Sequence, residues 1–334
     1  MKLEKNPVFN RADRFVEGWY WAMPCRALGV GQAKALTLMG RDLVFYRTHS
    51  RKVVALDGYC PHMGAALAQG KVKGEHLRCP LHHWQFDHGG QCVEIPAEGQ
   101  HSERMANTKI HAWPTAEHYG MIWIWTGTEP TYPPPYVPEL EDIDCDVALS
   151  YRFERSCHPN VLMINAIDAH HFNSVHNLPL EIRFKAQALN RNALCLDNMT
   201  RGGAASRFVK LIRPLYRNEV TYKMCYWYGS TGTVTLGPDF FHFHIMFALR
   251  PMAGGRTEGW TMLITPKRLA PINFAVLWIT RQVAAYFATG DIQVFEGIKF
   301  DFKTPLRADR SILKFVHHVN NQKSLSWGSW SSAA

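Results

Sequence analysis

The sequence predicts an α+β chain of two domains, an all-β N-terminal domain followed by a larger domain in which helices flank an antiparallel sheet. Three observations carry this expectation. From Ala35 to about Thr126 the chain reads as short strands separated by turns. A proline-dense run then follows, Pro130-Thr131-Tyr132-Pro133-Pro134-Pro135-Tyr136-Val137-Pro138. Beyond it, helical and strand-like periods mix within one stretch of chain. At 334 residues, with 46% hydrophobic and 19% charged residues, there is enough chain and apolar matter for two cores.

In the first domain, Leu43-Val44-Phe45-Tyr46 and Val53-Val54-Ala55-Leu56 are strand-like because β-branched and aromatic residues fit a pleated surface. Gly89-Gly90 reads as a hairpin turn and Met121-Ile122-Trp123-Ile124-Trp125 as a further strand. The prolines of 131–138 can continue neither a helix nor a central strand, so that segment is expected to be an extended linker. The predicted division is therefore 1–130 with a core over 35–126, a linker at 131–138, and a second domain over 139–334. In the latter, Val161 to Val175 has a helical pattern, Val220 to Tyr228 and His242 to Leu249 look like strands, and Ala275 to Phe300 looks like one long helix with Gly290 as a candidate break.

Several function classes are disfavoured by composition. The net charge is +9, yet Lys and Arg are scattered with no dense basic run, which argues against nucleic-acid binding. A basic surface would suit an acidic electron-transfer partner, but simple solubility explains the charge more economically than either. Met1 to Phe15 lacks the apolar core of a secretory signal. Ala270 to Ala288 is the longest apolar stretch, but Pro271, Asn273, Arg281 and Gln282 make it too polar to span a bilayer, so a buried helix is expected. Eight cysteines without a regular framework suggest reduced thiols in the cytoplasm. Cys25, Cys92, Cys145, Cys157, Cys195 and Cys225 read as packing residues.

The other two cysteines lie in Cys60-Pro61-His62 and Cys79-Pro80-Leu81-His82, two loops sixteen residues apart that each pair a thiol with an imidazole. A structural zinc site uses the same four residues but prefers C-x₂₋₄-C followed by H-x₃₋₅-H. Mixed Cys/His loops instead suit a [2Fe–2S] cluster in which two thiolates hold one iron and two histidines the other, the Rieske arrangement. Such a centre carries electrons, so a second site must use them. Asp168-Ala169-His170-His171-Phe172-Asn173-Ser174-Val175-His176 offers one. His171 and His176 are five residues apart and can face one point if the helix loosens between them. Two histidines and a carboxylate form the facial triad of non-haem Fe(II) oxygenases, with open positions for dioxygen and substrate. Alone, this spacing is a weak signal in a chain with seventeen histidines.

Taken together, Cys60-x-His62, Cys79-x-x-His82 and Asp168-x-x-His171-x₄-His176 resemble the Rieske non-haem iron oxygenases, large (α) subunit. Gly18-Trp19-Tyr20 and Ala65-x-Leu67 also look like that family's N-terminal domain. The segment Asp57 to Ala65 and the phrase Val93-Glu94-Ile95-Pro96 are similar to its steroid 9α-hydroxylase and cholesterol-desaturase branch. One departure is His83, where the family usually has glycine after the second ligand histidine.

The resemblance implies roles. Cys60 and Cys79 would hold the inner iron of the cluster, His62 and His82 the outer one, and His171 and His176 a mononuclear Fe(II). Asp168 would bridge a cluster histidine of one subunit and an iron histidine of its neighbour in a homotrimer, coupling the two centres. The third iron ligand would be Asp291, with Glu296, Asp301 and Asp309 as rivals and a helix N-cap as the plain alternative for Asp291. Asn165 would lie near the iron. The implied activity is that of a terminal oxygenase, a monooxygenase or hydroxylase first. Dioxygenase chemistry, oxidative demethylation and desaturation are alternatives at the same iron. A protein for electron transfer alone is the rival of a different class. No G-x-G-x-x-G fingerprint is present, so electrons from NAD(P)H would arrive through a separate ferredoxin or flavin reductase. The substrate would be a small organic molecule. Phe240, Phe241, Phe243, Met246 and Phe247 could line its cavity, with Phe241, Phe243 and Phe247 on one face, or simply pack a core.

Overall fold

The computed structural model describes residues 8–98, 103–175, 183–198, 220–238 and 241–330. The chain forms two compact units, one of Glu17–Pro134 with Leu325–Ala334, the other of Met1–Val16 with Pro135–Ser324. Both ends thus cross over relative to the sequence-based division. Among the described residues, 8–16 join the second unit and 325–330 join the first.

The first unit is built of small antiparallel sheets. One runs in the order Ala112–Trp113, Val53–Asp57, Arg41–Arg47, Ala33–Leu38, and a second in the order Thr115–His118, Met121–Trp125, Trp19–Pro24. A third pairs Lys71–Lys73, His76–Arg78, Gln85–Phe86 and Cys92–Glu94. The alternation of Val44, Tyr46, Val54 and Leu56 places these residues in one core with Leu67, Leu77, Phe86, Ile95 and Ile110. Gly89 and Gly90 do turn the chain between the last two strands of the third sheet. Gly90 has φ +78° and a Cβ there would lie 1.9 Å from the Ile110 carbonyl oxygen, so only glycine fits.

Among the described residues, the second unit holds a seven-stranded antiparallel sheet. Its spatial order is Cys145–Arg155, Arg256–Pro266, Phe243–Met252, Thr231–Pro238, Val220–Trp227, Ala193–Asn198, Phe184–Asn190. Within it, Glu258 is buried between Arg250, on the paired strand at 2.6 Å, and Arg152. The register sets Cys195 opposite Cys225, and the two form a disulfide. The expectation that both are reduced packing thiols is therefore corrected. Cys25, Cys92, Cys145 and Cys157 are free, as expected.

Two helical expectations change. The 161–175 segment is not one helix. It is an α-turn Pro159–Leu162, a 3₁₀ stretch Met163–Ile167, a break at extended Asp168, and a short helix Ala169–Ser174. Sheet side chains hold the irregular part in place: Tyr226 donates to the Met163 carbonyl (2.7 Å) and Tyr222 to that of Ala166 (2.8 Å). The long helix runs Ala270–Phe295, earlier than expected at both ends and unbroken at Gly290. It starts after Leu269, with Pro271 in its first turn where a missing N–H costs nothing. It is also not a buried helix. Asn273, Val276, Thr280 and Ala284 face the sheet, whereas Ile272, Phe274, Trp278 and Ile279 are exposed. No described helix is long and apolar enough to cross a membrane.

Candidate metal centres and substrate pocket

The two Cys/His loops leave short strands and return to them. In the first, the Cys60 amide donates to the Ala65 carbonyl and the Gly64 amide to that of Cys60, both at 2.9 Å. In the second, the Cys79 amide donates to the Trp84 carbonyl at 2.8 Å. These turns bury both thiols and leave His62, His82 and His83 exposed. Burial pushes the Cys60 thiol up to about 11, opposed by the His62 backbone amide at its sulfur and reinforced by the neighbouring Cys79 thiol. The two imidazoles meet outside, with His62 Nδ1 3.1 Å from His82 Nδ1. The ring of His62 stacks on Trp84, with centroids 4.5 Å apart and planes 10° apart.

This donor set fits a cluster of two irons. The Cys60 and Cys79 thiols interact in the interior, and the two Nδ1 atoms face a shared point at the surface. A pair of thiols within and a pair of imidazoles without suits a two-iron cluster gripped from opposite ends. Trp84 had no signal in the sequence beyond its place two residues after His82.

The loop geometry also accounts for the unusual His83. Its φ is +63°, in the left-handed region where glycine carries no steric penalty. The backbone therefore asks for glycine there, and this chain supplies an exposed histidine.

In the second unit, Asp168 ends the 3₁₀ stretch and caps the next helix. Its carboxylate accepts from the amides of His170 (2.9 Å) and His171 (3.2 Å). The cap aims His171 inward, where it is buried. Its Nε2 lies 2.8 Å from Oδ1 of Asp291, on the long helix 120 residues away. The other Asp291 oxygen accepts from the Asn165 amide at 2.6 Å. Burial first, and then the Asp291 charge, raises the pKa of the enclosed Tyr222 phenol. His176 lies outside the described residues.

The three rival carboxylates are not brought to His171. Glu296 is exposed at the end of the long helix, where its backbone carbonyl accepts from Ser156. Asp301 pairs with Lys303 at 2.6 Å, and Asp309 accepts from the Leu306 amide at 2.7 Å. An imidazole and a hard carboxylate 2.8 Å apart in an apolar wall fit a divalent iron ion.

Those two side chains open into a pocket enclosing ≈ 920 Å³ of empty space, its mouth included. Its sheet wall follows the strand period, with Tyr222 and Met224, Val234 and Leu236, and Ile245, Phe247 and Leu249 on one face. The helical wall comprises Met163, Asn165, Phe172, Ala284 and Ala288. Phe247 is thus a wall residue. Met246 is fully buried on the opposite side of its strand; Phe243 shares the wall face, pairs with Leu236, and packs edge-to-face on Phe241 with ring centroids 5.0 Å apart. Phe240 lies outside the described residues.

The Rieske [2Fe-2S] domain family matches residues 18–114. Those residues contain both Cys/His loops. Residues 18–114 are thus a Rieske [2Fe-2S] domain. Aminopyrrolnitrin oxygenase of Pseudomonas fluorescens is 33% identical over 54% of this chain and 51% of its own length. The oxygenase component of 3-ketosteroid-9-alpha-monooxygenase of Rhodococcus rhodochrous is 30% identical over 49% and 44% respectively. The chain thus spans about half the length of these curated relatives. The second of them carries the steroid 9α-hydroxylase name to which the N-terminal phrases pointed. The fold extends further: the crystal structure of dicamba monooxygenase bound to dicamba superposes with a TM-score of 0.65 over 93% of this chain and 97% of that one, at 18% identity.

Proposed function

We propose that this chain is the terminal component of an oxygenase that hydroxylates an apolar organic molecule. The observation that carries the reading is the pocket: His171 and Asp291 sit in its wall, in a chain that also holds the paired Cys/His loops. When bound, the cluster would relay single electrons and the mononuclear Fe(II) would activate dioxygen.

The protein's own residues have distinct tasks. Cys60 and Cys79 would bind the cluster through their buried thiols, and His62 and His82 through their exposed imidazoles. His171 and Asp291 would hold the Fe(II), with His176 as the second imidazole. Asn165 fixes the orientation of the Asp291 carboxylate through its amide. Asp168 is a positioning residue, since its hydrogen bonds set the helix that carries His171. The apolar wall excludes water and gives an apolar substrate its binding energy, at about 25 cal/mol per Å² buried. Dioxygenation, demethylation and desaturation would use the same residues.

Electrons would come from NAD(P)H through a separate ferredoxin or flavin reductase. We also propose a homotrimer in which the cluster of one subunit serves the iron of the next. The test uses the full chain loaded with cluster and iron, a chemical reductant, and a panel of steroids, terpenoids, arenes and alkaloids. The reading predicts substrate-dependent oxygen uptake, with an oxygen atom from labelled dioxygen in the product. A protein that passes electrons to acceptors, yet never couples them to any oxidised product, would contradict it.

A further inference from the structure

We propose that the outer face of the helix Ala270–Phe295 docks on the surface of an anionic phospholipid membrane, lying in its plane. The face is unusual for a protein exterior. Leu269 and Phe274 are each 74% exposed and Trp278 58%, with Ile272 and Ile279 also open. Exposed positions 271, 272, 274, 275, 278, 279, 281 and 282 cover an arc of about 180° at 100° per residue. Contiguous large apolar surface of this kind marks an interaction site.

Charge identifies the occupant. From residue 267 to residue 290 the charged side chains are Lys267, Arg268 and Arg281, with no Asp or Glu among them. All three cations are exposed, and the whole chain carries +9. Exposed Trp278, Phe274 and Leu269 beside Lys267, Arg268 and Arg281 match a membrane interface, where apolar side chains reach the acyl boundary and cations meet anionic headgroups. A two-fold contact between copies would bring Lys267, Arg268 and Arg281 against their own copies with no acidic group to meet them, and a heterologous contact of the kind a homotrimer makes is separated by the light scattering below. The helix cannot instead pass through the bilayer, since it is not apolar enough to cross.

The inward side of the same helix contributes Ala284, Ala288 and Asp291 to the pocket. One helix would then separate the lipid surface from the pocket. Docking itself does not depend on the oxygenase reading, because its test reads binding and not turnover.

The test is co-sedimentation of the full, cluster-loaded chain with vesicles of phosphatidylcholine containing about 30% phosphatidylglycerol. The proposal expects most of the protein in the pellet, much less with pure phosphatidylcholine, and release by high salt. Phe274→Asp with Trp278→Asp should weaken binding about tenfold or more while leaving the circular dichroism spectrum unchanged. Arg281→Ser alone should weaken it by about fivefold. Absence of binding to the anionic vesicles overturns the proposal, as does binding that both variants retain. Light scattering without lipid covers the remaining case. If the doubly substituted chain forms a smaller assembly than the parent, the face is a contact between copies and the proposal is wrong.

Discussion

Replacing His83 by glycine and Gly64 by alanine should move stability in opposite directions. Both residues sit in the Cys/His loops with positive φ, +63° at His83 and +73° at Gly64. A side chain in the left-handed region costs about 1–2 kcal/mol, because Cβ crowds the following carbonyl. Glycine at 83 removes that cost but enlarges the freedom of the unfolded chain, which returns about 0.4–1 kcal/mol. The net effect is a gain of about 0.5–1 kcal/mol. For a unit of this size that corresponds to a rise in thermal midpoint of about 2–4 °C. At Gly64 an added Cβ meets no atom within 4 Å, so backbone strain is the whole penalty. Gly64→Ala should therefore lower the midpoint by a similar amount. Thermal melts of the cluster-loaded protein followed by circular dichroism measure both. A destabilised His83→Gly variant would refute the strain argument and point to a contact made by the imidazole. An unchanged Gly64→Ala variant would refute the cost assigned to the left-handed backbone.

Asp291→Ala should lose the mononuclear iron and keep the cluster spectrum, while Glu296→Ala keeps both; the reverse result would move the ligand assignment to Glu296. Asp168→Asn preserves an oxygen acceptor for the His170 and His171 amides, so it should keep both metals, but it removes the charge with which Asp168 would bridge a cluster histidine to an iron histidine, so it should lose most turnover; Asp168→Ala should also cost about 1 kcal/mol of stability. Retention of full turnover by the Asn variant would remove Asp168 from any coupling role. His158 and His244 are each held neutral by burial, down to about 4, with nearby Glu139 partly opposing the effect at His244. Unfolded histidine titrates near 6.5, so the unfolded state gains protons first as pH falls. Stability should drop from about pH 6.5 downward and level off below about pH 4, with about 2 kcal/mol lost per histidine at pH 5. Urea titrations at pH 7 and pH 5 check this, and an acid loss of the same size in His244→Gln would contradict it.

The Cys/His loops were legible because each loop's chemistry is written in three or four consecutive residues. The strands around them were legible too, since Val44, Tyr46, Val54 and Leu56 alternate with the pleat. The second site was harder to read. His171 and Asp291 are 120 residues apart, and the composition of neither segment states that they meet. The helical pattern of 161–175 hid the break at Asp168, because apolar spacing does not distinguish a continuous helix from 3₁₀ and α pieces pinned by Tyr222 and Tyr226. The Cys195–Cys225 disulfide depends on sheet register, which single-strand patterns leave open. The exposed face of the long helix escaped for a related reason. Apolar content records that Phe274 and Trp278 avoid water, and it does not say whether their partner lies in the same chain.

The claim at the centre of this account is that one chain carries two kinds of iron centre. Iron content per chain tests it most directly, measured on protein with a fully formed cluster and compared with His171→Ala. The account predicts three irons in the parent, two of them in the cluster, and two in the variant, with identical cluster absorption in both. Two irons in the parent, unchanged by the substitution, would contradict it and leave a Rieske protein that only carries electrons.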